Sequence, residues 1–144
     1  MRAIAIFAML LIAQPAFAGA RENFEKVSRE VRVEMGQELK LDGDGCFAEL
    51  CEGSVGPIRV MAAGNLITVT PTLAASPDAY LGTCVIALAA LHGEMSYEYA
   101  FQIARRGFER AAVMNKSRET FEPVTFDVHT APQDQLLECT VIRN

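Results

Sequence analysis

The residues of this chain with the widest choice of chemistry are its four cysteines, Cys46, Cys51, Cys84 and Cys139. Cysteine can form a disulfide, bind a metal ion or act as a nucleophile. No two of the four have the C-x-x-C spacing typical of zinc sites, and all four lie in apolar or strand-like surroundings that suit structural sulfur. An even number of cysteines in an oxidising compartment favours disulfides. We therefore expect two disulfides and no metal site.

The pairing of these cysteines follows from the segment between the first two. The residues from Phe47 to Leu50 contain no turn former. An extended segment of that length would hold the Cα atoms of Cys46 and Cys51 beyond the bridging distance of about 4.4–6.8 Å. We therefore disfavour a Cys46–Cys51 bond. We expect these two residues to pair with Cys84 and Cys139, in one order or the other, and each long loop would contribute about 4 kcal/mol in the chain-entropy model.

A second group of reactive side chains surrounds one predicted turn. His92, Glu94 and Ser96 are a histidine, a carboxylate and a serine close in sequence, and such a set can form a hydrolytic site. The favoured interpretation is structural, because a histidine suits a helix C-terminus, Gly93 a helix cap and Ser96 the start of a second helix. The sequence contains no G-x-S-x-G, P-loop, G-x-G-x-x-G or H-E-x-x-H motif. We assign no catalytic residue and no cofactor, and we interpret His129, at the end of a strand, as a surface residue.

The most concentrated positive charge is the cluster Arg105, Arg106 and Arg110. Such a cluster can bind an anionic ligand or an acidic partner. It can equally be a solvated helix face whose charge is balanced by Glu98, Glu109 and their neighbours, and this second interpretation is favoured.

Two helices must position these groups, and both lie within Ser76–Met114. Ser76 is an N-cap and Pro77 suits the first helical position. The segment Ala79–Leu91 has no charged residue and is apolar on nearly every side, which is typical of a buried or membrane helix. At about 1.5 Å per residue it reaches roughly 20 Å, too short for a bilayer core of about 30 Å. We predict a central buried helix that ends at His92 and Gly93.

The second helix begins after Ser96 and runs from Tyr97 to Met114. One apolar stripe has helical spacing. It consists of Tyr97, Phe101, Ala104, Phe108 and Ala111. Gly107 costs helical stability, about 1 kcal/mol relative to alanine, but permits close approach to the central buried helix.

The remaining elements are short. We predict a first helix over Glu22–Met35, with a hairpin centred on Gly36 as the alternative. Asp42–Gly45 is interpreted as a turn, since it lacks the later residues of a calcium loop. The predicted strands are Cys46–Cys51, Pro57–Ala62, Leu66–Thr72, Pro123–His129 and Gln135–Ile142, with turns at Glu52–Ser54 and Gly64-Asn65 and a polar connection at Lys116–Glu119.

This order of elements predicts an α+β fold, with an antiparallel sheet of about five short strands packed on two to three helices and stapled by disulfides. The opening of one helix and three strands is similar in topology to several small α+β binding domains, including secretion chaperones. The similarity covers about half the chain, and those chaperones act in the cytosol.

The N-terminus has the pattern of an export signal. Arg2 precedes the apolar segment Ala3–Ala13, and Ala16-Phe17-Ala18 is an A-x-A cleavage site before Gly19. We predict that residues 1–18 are a cleaved signal peptide and that residues 19–144 form one domain, periplasmic or secreted, with no stable membrane insertion after cleavage. Without Arg2 the 13 basic residues fall to 12, against 18 acidic ones, a net charge of −6 that disfavours nucleic acid as a partner.

Two functions remain. The first is a small, exported, non-enzymatic binding or accessory protein, whose partner is another envelope or secreted protein or a second copy of the chain. It predicts a broad exposed apolar or charged patch rather than a deep polar pocket. The alternative is a small exported hydrolase that uses His92 with Glu94.

Overall fold

The structure is a computed structural model that describes residues 19–35, 46–47, 49–131 and 136–144. The predicted signal peptide, Gly36 and the Asp42–Gly45 segment lie outside these ranges. The helices are α1 (Ala20–Met35), α2 (Pro77–His92) and α3 (Tyr97–Met114), and the strands are β1 (Cys46–Phe47), β2 (Leu50–Val55), β3 (Ile58–Ala63), β4 (Leu66–Pro71), β5 (Lys116–Phe121), β6 (Val124–Thr130) and β7 (Leu137–Arg143).

The described strands form a single antiparallel sheet in the order β1-β2-β3-β4-β7-β6-β5. The last strand of the chain lies between β4 and β6 and joins the N-terminal group of strands to the C-terminal hairpin. The α+β class, the antiparallel sheet and the two disulfides are confirmed. The predicted number of strands is wrong, because the described sheet has seven strands rather than about five.

Helix α2 forms as its sequence predicts. The Ser76 hydroxyl accepts a hydrogen bond from the Ala79 N–H at 3.2 Å, and Pro77 occupies the first turn. Gly93 ends the helix with φ of 85° and donates its N–H to the Ala89 carbonyl at 3.0 Å. All residues from Tyr80 to Leu91 except Leu81 are buried, which confirms the central buried helix.

Helix α3 also begins as predicted, with the Ser96 hydroxyl accepting from the Tyr99 N–H at 3.2 Å. Its buried stripe is rotated from the predicted one, since Ile103 is buried whereas Phe101 is 39% exposed. Gly107 permits close packing, but against β6 rather than the predicted α2, because a Cβ atom there would lie 2.8 Å from the Phe126 ring.

One face of the sheet forms the core against the helices. Alternate residues of the inner strands are buried on this face, as the two-residue period of a strand requires. They include Ile58, Val60, Ile67, Val69, Val124, Phe126, Val128, Cys139 and Val141. Phe24 of α1 and most of α2 complete the core. The opposite face of the sheet, hereafter the open face, carries polar residues that include Arg59, Thr68, Thr70, Asp127 and Thr140.

Two segments predicted as turns or connections are strands. Glu52–Ser54 lies inside β2 and pairs with β3. Lys116–Glu119 lies inside β5 and pairs with β6. The Gly64-Asn65 hairpin and the predicted first helix are confirmed, the helix beginning at Ala20.

The predicted disulfide pairing is wrong. Cys46 bonds to Cys51, and Cys84 bonds to Cys139. The segment after Cys46 is not extended: Phe47 pairs with Leu50, Glu49 lies in a turn, and the Cα atoms of Cys46 and Cys51 are 4.0 Å apart on adjacent strands. Such a separation is near that of directly opposed residues in an antiparallel pair, about 4.5 Å.

Candidate binding site

A concave apolar surface lies where the end of β4, the start of α2, the middle of α3 and the start of β7 meet. This apolar groove has a volume of about 530 Å³. Its lining includes Pro71, Thr72, Leu73, Ala75, Pro77, Asp78, Tyr80, Leu81, Arg105, Phe108, Glu109, Leu136 and Leu137. Most of these side chains are apolar, so the groove offers burial to an apolar group.

The floor of the groove is built from two aromatic rings. Tyr80 of α2 and Phe108 of α3 contact edge to face, with ring centroids 5.2 Å apart. The Tyr80 hydroxyl donates to the Val69 carbonyl at 3.3 Å, and burial raises the pKa of Tyr80, which keeps the phenol neutral. The floor is therefore fixed by the packing of α2 and α3 and by a bond to β4.

The lip of the groove is the connection from β4 to α2. The Thr72 N–H donates to the Pro57 carbonyl at 3.0 Å, and the Ala75 N–H donates to the Thr72 carbonyl at 2.9 Å. These bonds hold the connection at the sheet while Leu73, between them, remains 88% exposed.

Charged residues stand at the rim. Arg105 and Glu109 are one helical turn apart on α3 and form an ion pair at 2.9 Å. Asp78 lies in the first turn of α2, where the helix dipole favours a carboxylate. The rim thus holds two carboxylates and one guanidinium.

The predicted arginine cluster is divided between two places. Arg105 is at the groove, while Arg106 and Arg110 both bind Glu119 of β5. The Glu119 carboxylate, at 3.1 Å from Arg106, raises the pKa of Arg106. Glu109 forms an ion pair with Arg105, and Arg106 and Arg110 share the single carboxylate of Glu119.

The residues of the predicted His92 site make hydrogen bonds that end α2 and begin α3. The main-chain N–H of Glu94 donates to His92 Nδ1 at 3.4 Å. Arg143 donates to the carbonyls of Leu91 and His92, at 2.6 and 3.3 Å, and so satisfies the end of α2. Ser96 caps α3.

A second histidine lies in a polar cluster on the open face. His129 Nε2 lies 3.1 Å from Glu138 Oε1, and His129 Nδ1 lies 3.4 Å from Asp127 Oδ1. Thr70 donates to Glu138 at 2.6 Å, and Arg118 binds Asp127 at 2.8 Å. The cluster joins four adjacent strands.

Sequence reasoning missed the apolar groove and the His129 cluster. The groove is assembled from residues between Pro71 and Leu137 that follow no local pattern. Only part of the His129 cluster was predictable from the sequence. Asp127 and His129 are two residues apart in a predicted strand, and so lie on one face of it. Its other members come from strands whose register the sequence left open.

Comparison of the chain with protein-family models, with curated proteins and with solved structures found no match. Within the described ranges, no group of three side chains is arranged to hold a metal ion. None of the helices in the described part of the chain has both the length and the apolarity needed to span a bilayer. Two disulfides are compatible with an oxidising compartment.

Proposed function

We propose that this chain is an exported, non-enzymatic binding protein that holds an apolar segment of another exported protein in the apolar groove. The observation that carries the proposal is the groove, an apolar concavity with a charged rim. Leu73 at its lip is 88% exposed, and a protein partner would remove this side chain from water together with the groove lining.

The rim indicates the chemistry of the partner. Arg105 is neutralised by Glu109 at 2.9 Å, so the charge that remains at the rim is that of Asp78. A partner segment with a lysine or arginine beside its apolar anchor would meet this carboxylate. Complementary charge of this kind favours the correct partner and its association rate.

Export is supported by the N-terminal pattern of Arg2, Ala3–Ala13 and Ala16-Phe17-Ala18, and by the disulfides. Native mass spectrometry of the exported fraction, without reductant, tests it. We expect a mass that begins at Gly19 and is four hydrogens below that of the thiol form. A mass that retains residues 1–18, or that shows four thiols, would contradict export with disulfide formation.

The alternative hydrolase gains no support from the turn between α2 and α3. Glu94 meets His92 through its main-chain N–H, and Ser96 is used as a helix cap. A His92→Ala protein tests the alternative. We expect it to bind its partner as the unaltered protein does, whereas loss of a hydrolytic activity with intact folding would favour the enzyme.

The groove is tested with two variants at equally exposed apolar residues. Leu73→Glu alters the lip, and Phe47→Glu alters an 84% exposed ring on the β1–β2 hairpin. Each tagged protein is incubated with the exported fraction, and bound proteins are quantified by mass spectrometry. We expect a partner retained by Phe47→Glu and lost with Leu73→Glu.

A peptide of the partner's apolar segment then provides the decisive measurement. We expect it to shift the amide NMR resonances of Leu81 and Phe108, which line the groove. If the partner binds Leu73→Glu as well as the unaltered protein, or if the peptide shifts resonances elsewhere, the groove is not the site.

A further inference from the structure

The two edges of the sheet differ in what they offer to another chain. At one edge β1 has two residues, and Cys46–Cys51 bonds it to β2. At the other, β5 has six residues, and in the described part of the chain the sheet ends there. An unpaired edge of that length presents main-chain donors and acceptors to an added strand.

The direction of these main-chain groups follows from the register. The Thr130 N–H donates to the Asn115 carbonyl, so this pair is hydrogen-bonded. Hydrogen-bonded pairs alternate along an antiparallel ladder, and the next members on β5 are Ser117, Glu119 and Phe121. The N–H and C=O groups of Lys116, Arg118 and Thr120 therefore point away from β6, along what we call the β5 edge.

A groove of about 430 Å³ follows this edge. It is lined by Arg110, Met114, Lys116, Ser117, Arg118 and Asp127. Three of these residues are cationic and one is a carboxylate, although the whole chain has a net charge of −5. Arg110 also binds Glu119, and Arg118 binds Asp127, so the positive charge that remains here is that of Lys116, and it coincides with the outward main-chain groups.

The apolar side chain of Met114 lies beside this charge, at the end of α3. Met114 is 69% exposed and Val113 is 83% exposed. Lys116 and Arg118 project on the open face, whereas α3 lies on the other side of the sheet. A strand added to β5 would therefore meet positive charge on one of its faces and an apolar side chain on the other.

We propose that the β5 edge binds an extended acidic segment of another protein, which adds as an eighth strand to the described sheet. Acidic residues at alternate positions of the added strand face Lys116 and Arg118, and the residues between them in that strand pack toward Met114. A peptide fits this edge better than a phosphate group, because only a peptide supplies donors for the outward carbonyls as well as acceptors for the outward N–H groups. This binding site is independent of the apolar groove.

Charge argues against a second copy of this chain as the occupant. A two-fold axis keeps each face of the sheet on its own side, so the self-pairing registers with the longest overlap of β5 are centred on Arg118 or Glu119. These registers place Arg118 opposite Arg118 or Glu119 opposite Glu119. Like charges directly opposite one another destabilise strand pairing.

The test uses two synthetic seven-residue peptides with blocked ends. One has glutamate at alternate positions with threonine and valine between, and the other replaces each glutamate with lysine. Binding to the full exported chain is measured by fluorescence anisotropy, and the site by amide hydrogen exchange. We expect the glutamate peptide to bind and to protect the amides of Lys116, Arg118 and Thr120.

Charge-reversal variants locate the charge that matters. We expect the double variant Lys116→Glu, Arg118→Glu to raise the dissociation constant of the glutamate peptide at least tenfold. Arg59→Glu, which reverses an exposed charge on the open face at β3, is the matched control and should leave it unchanged. Because Arg118 binds Asp127, the exchange measurement on the unaltered protein provides a test that does not depend on folding of the variant.

Three results would overturn the proposal: equal binding of the lysine peptide, protection confined to amides outside β5, or protection of the β5 amides without peptide in a protein of doubled mass. The last would identify a second copy as the occupant. None of these results bears on Leu73 and the apolar groove.

Discussion

The two disulfides fasten the molecule in different ways. Cys84–Cys139 joins α2 to the inner strand β7 and spans 55 positions of sequence, and both residues are fully buried. Cys46–Cys51 spans 5 positions, joins two adjacent strands near an edge, and Cys46 is partly exposed. The first connects distant parts of the chain across the core, and the second closes a hairpin that already exists as a local structure.

Their surroundings differ as much as their loops. The buried pair lies among apolar residues of α2 and β7. At the hairpin, Arg21 of α1 places its Nη1 atom 3.1 Å from Cys46 Sγ and 3.8 Å from Cys51 Sγ. Positive charge beside sulfur stabilises a thiolate. We therefore expect Cys84–Cys139 to contribute more to stability and Cys46–Cys51 to exchange more readily with thiols.

The largest effect is expected from removal of the buried disulfide. The double variant Cys84→Ala, Cys139→Ala should lose about 4 kcal/mol of unfolding free energy, because a long loop is no longer closed in the unfolded chain. Urea unfolding followed by circular dichroism measures it. A loss no greater than that of the hairpin variant would contradict this order.

Removal of the hairpin disulfide should cost less. For Cys46→Ala, Cys51→Ala the same chain-entropy model gives about 2 kcal/mol, since the closed loop is short. We expect amide exchange to rise in β1 and β2 while β4 and β7 stay protected. Faster exchange throughout the sheet would show that the hairpin disulfide stabilises the core.

Helix α2, which carries Cys84, shows where sequence reasoning works, although the Cys84–Cys139 bond itself was not predicted. Helix α2 was predictable because Ser76, Pro77 and Gly93 act locally, and an all-apolar helix must be buried. The Gly64-Asn65 hairpin has local turn chemistry too, with Gly64 at φ of 53°. In these elements the residues that determine the structure are neighbours in sequence.

The hairpin disulfide shows why the rest was missed. The residues between Cys46 and Cys51 include no glycine, asparagine or proline, so their turn gave no signal. Lys116–Glu119 was interpreted as a connection because it is polar, yet the side chains of an edge strand are often charged. The apolar groove depends on helix and strand placement, which no spacing in the sequence reports.

The two disulfides are expected to be reduced at different dithiothreitol concentrations. On titration with dithiothreitol followed by alkylation and peptide mass spectrometry, Cys46 and Cys51 should be labelled before Cys84 and Cys139. Attack requires access to sulfur, and the second pair is fully buried. Simultaneous labelling of all four cysteines would show that reduction requires global unfolding.

The smallest effect should come from Arg21. Arg21→Gln removes the charge that stabilises the departing thiolate, so reduction of Cys46–Cys51 should slow by a few-fold. The effect is modest because Arg21 also binds Glu25 at 3.2 Å and its side chain is 34% exposed. The rate of reduction is measured at a fixed dithiothreitol concentration by quenching samples with an alkylating reagent at successive times. Arg29→Gln, which removes an exposed charge on the same helix, is the control.

The sign of the Arg21 effect distinguishes two roles for this contact. If the guanidinium acts by charge, Arg21→Lys should keep much of the unaltered rate, and added salt should reduce the difference from Arg21→Gln. If Arg21 instead acts as a clamp that holds the hairpin on α1, both substitutions should loosen the hairpin and accelerate reduction. Faster reduction of Cys46–Cys51 in Arg21→Gln than in the unaltered protein would therefore contradict the role of charge. It would assign Arg21 and the hairpin disulfide a structural role, like that of the buried disulfide.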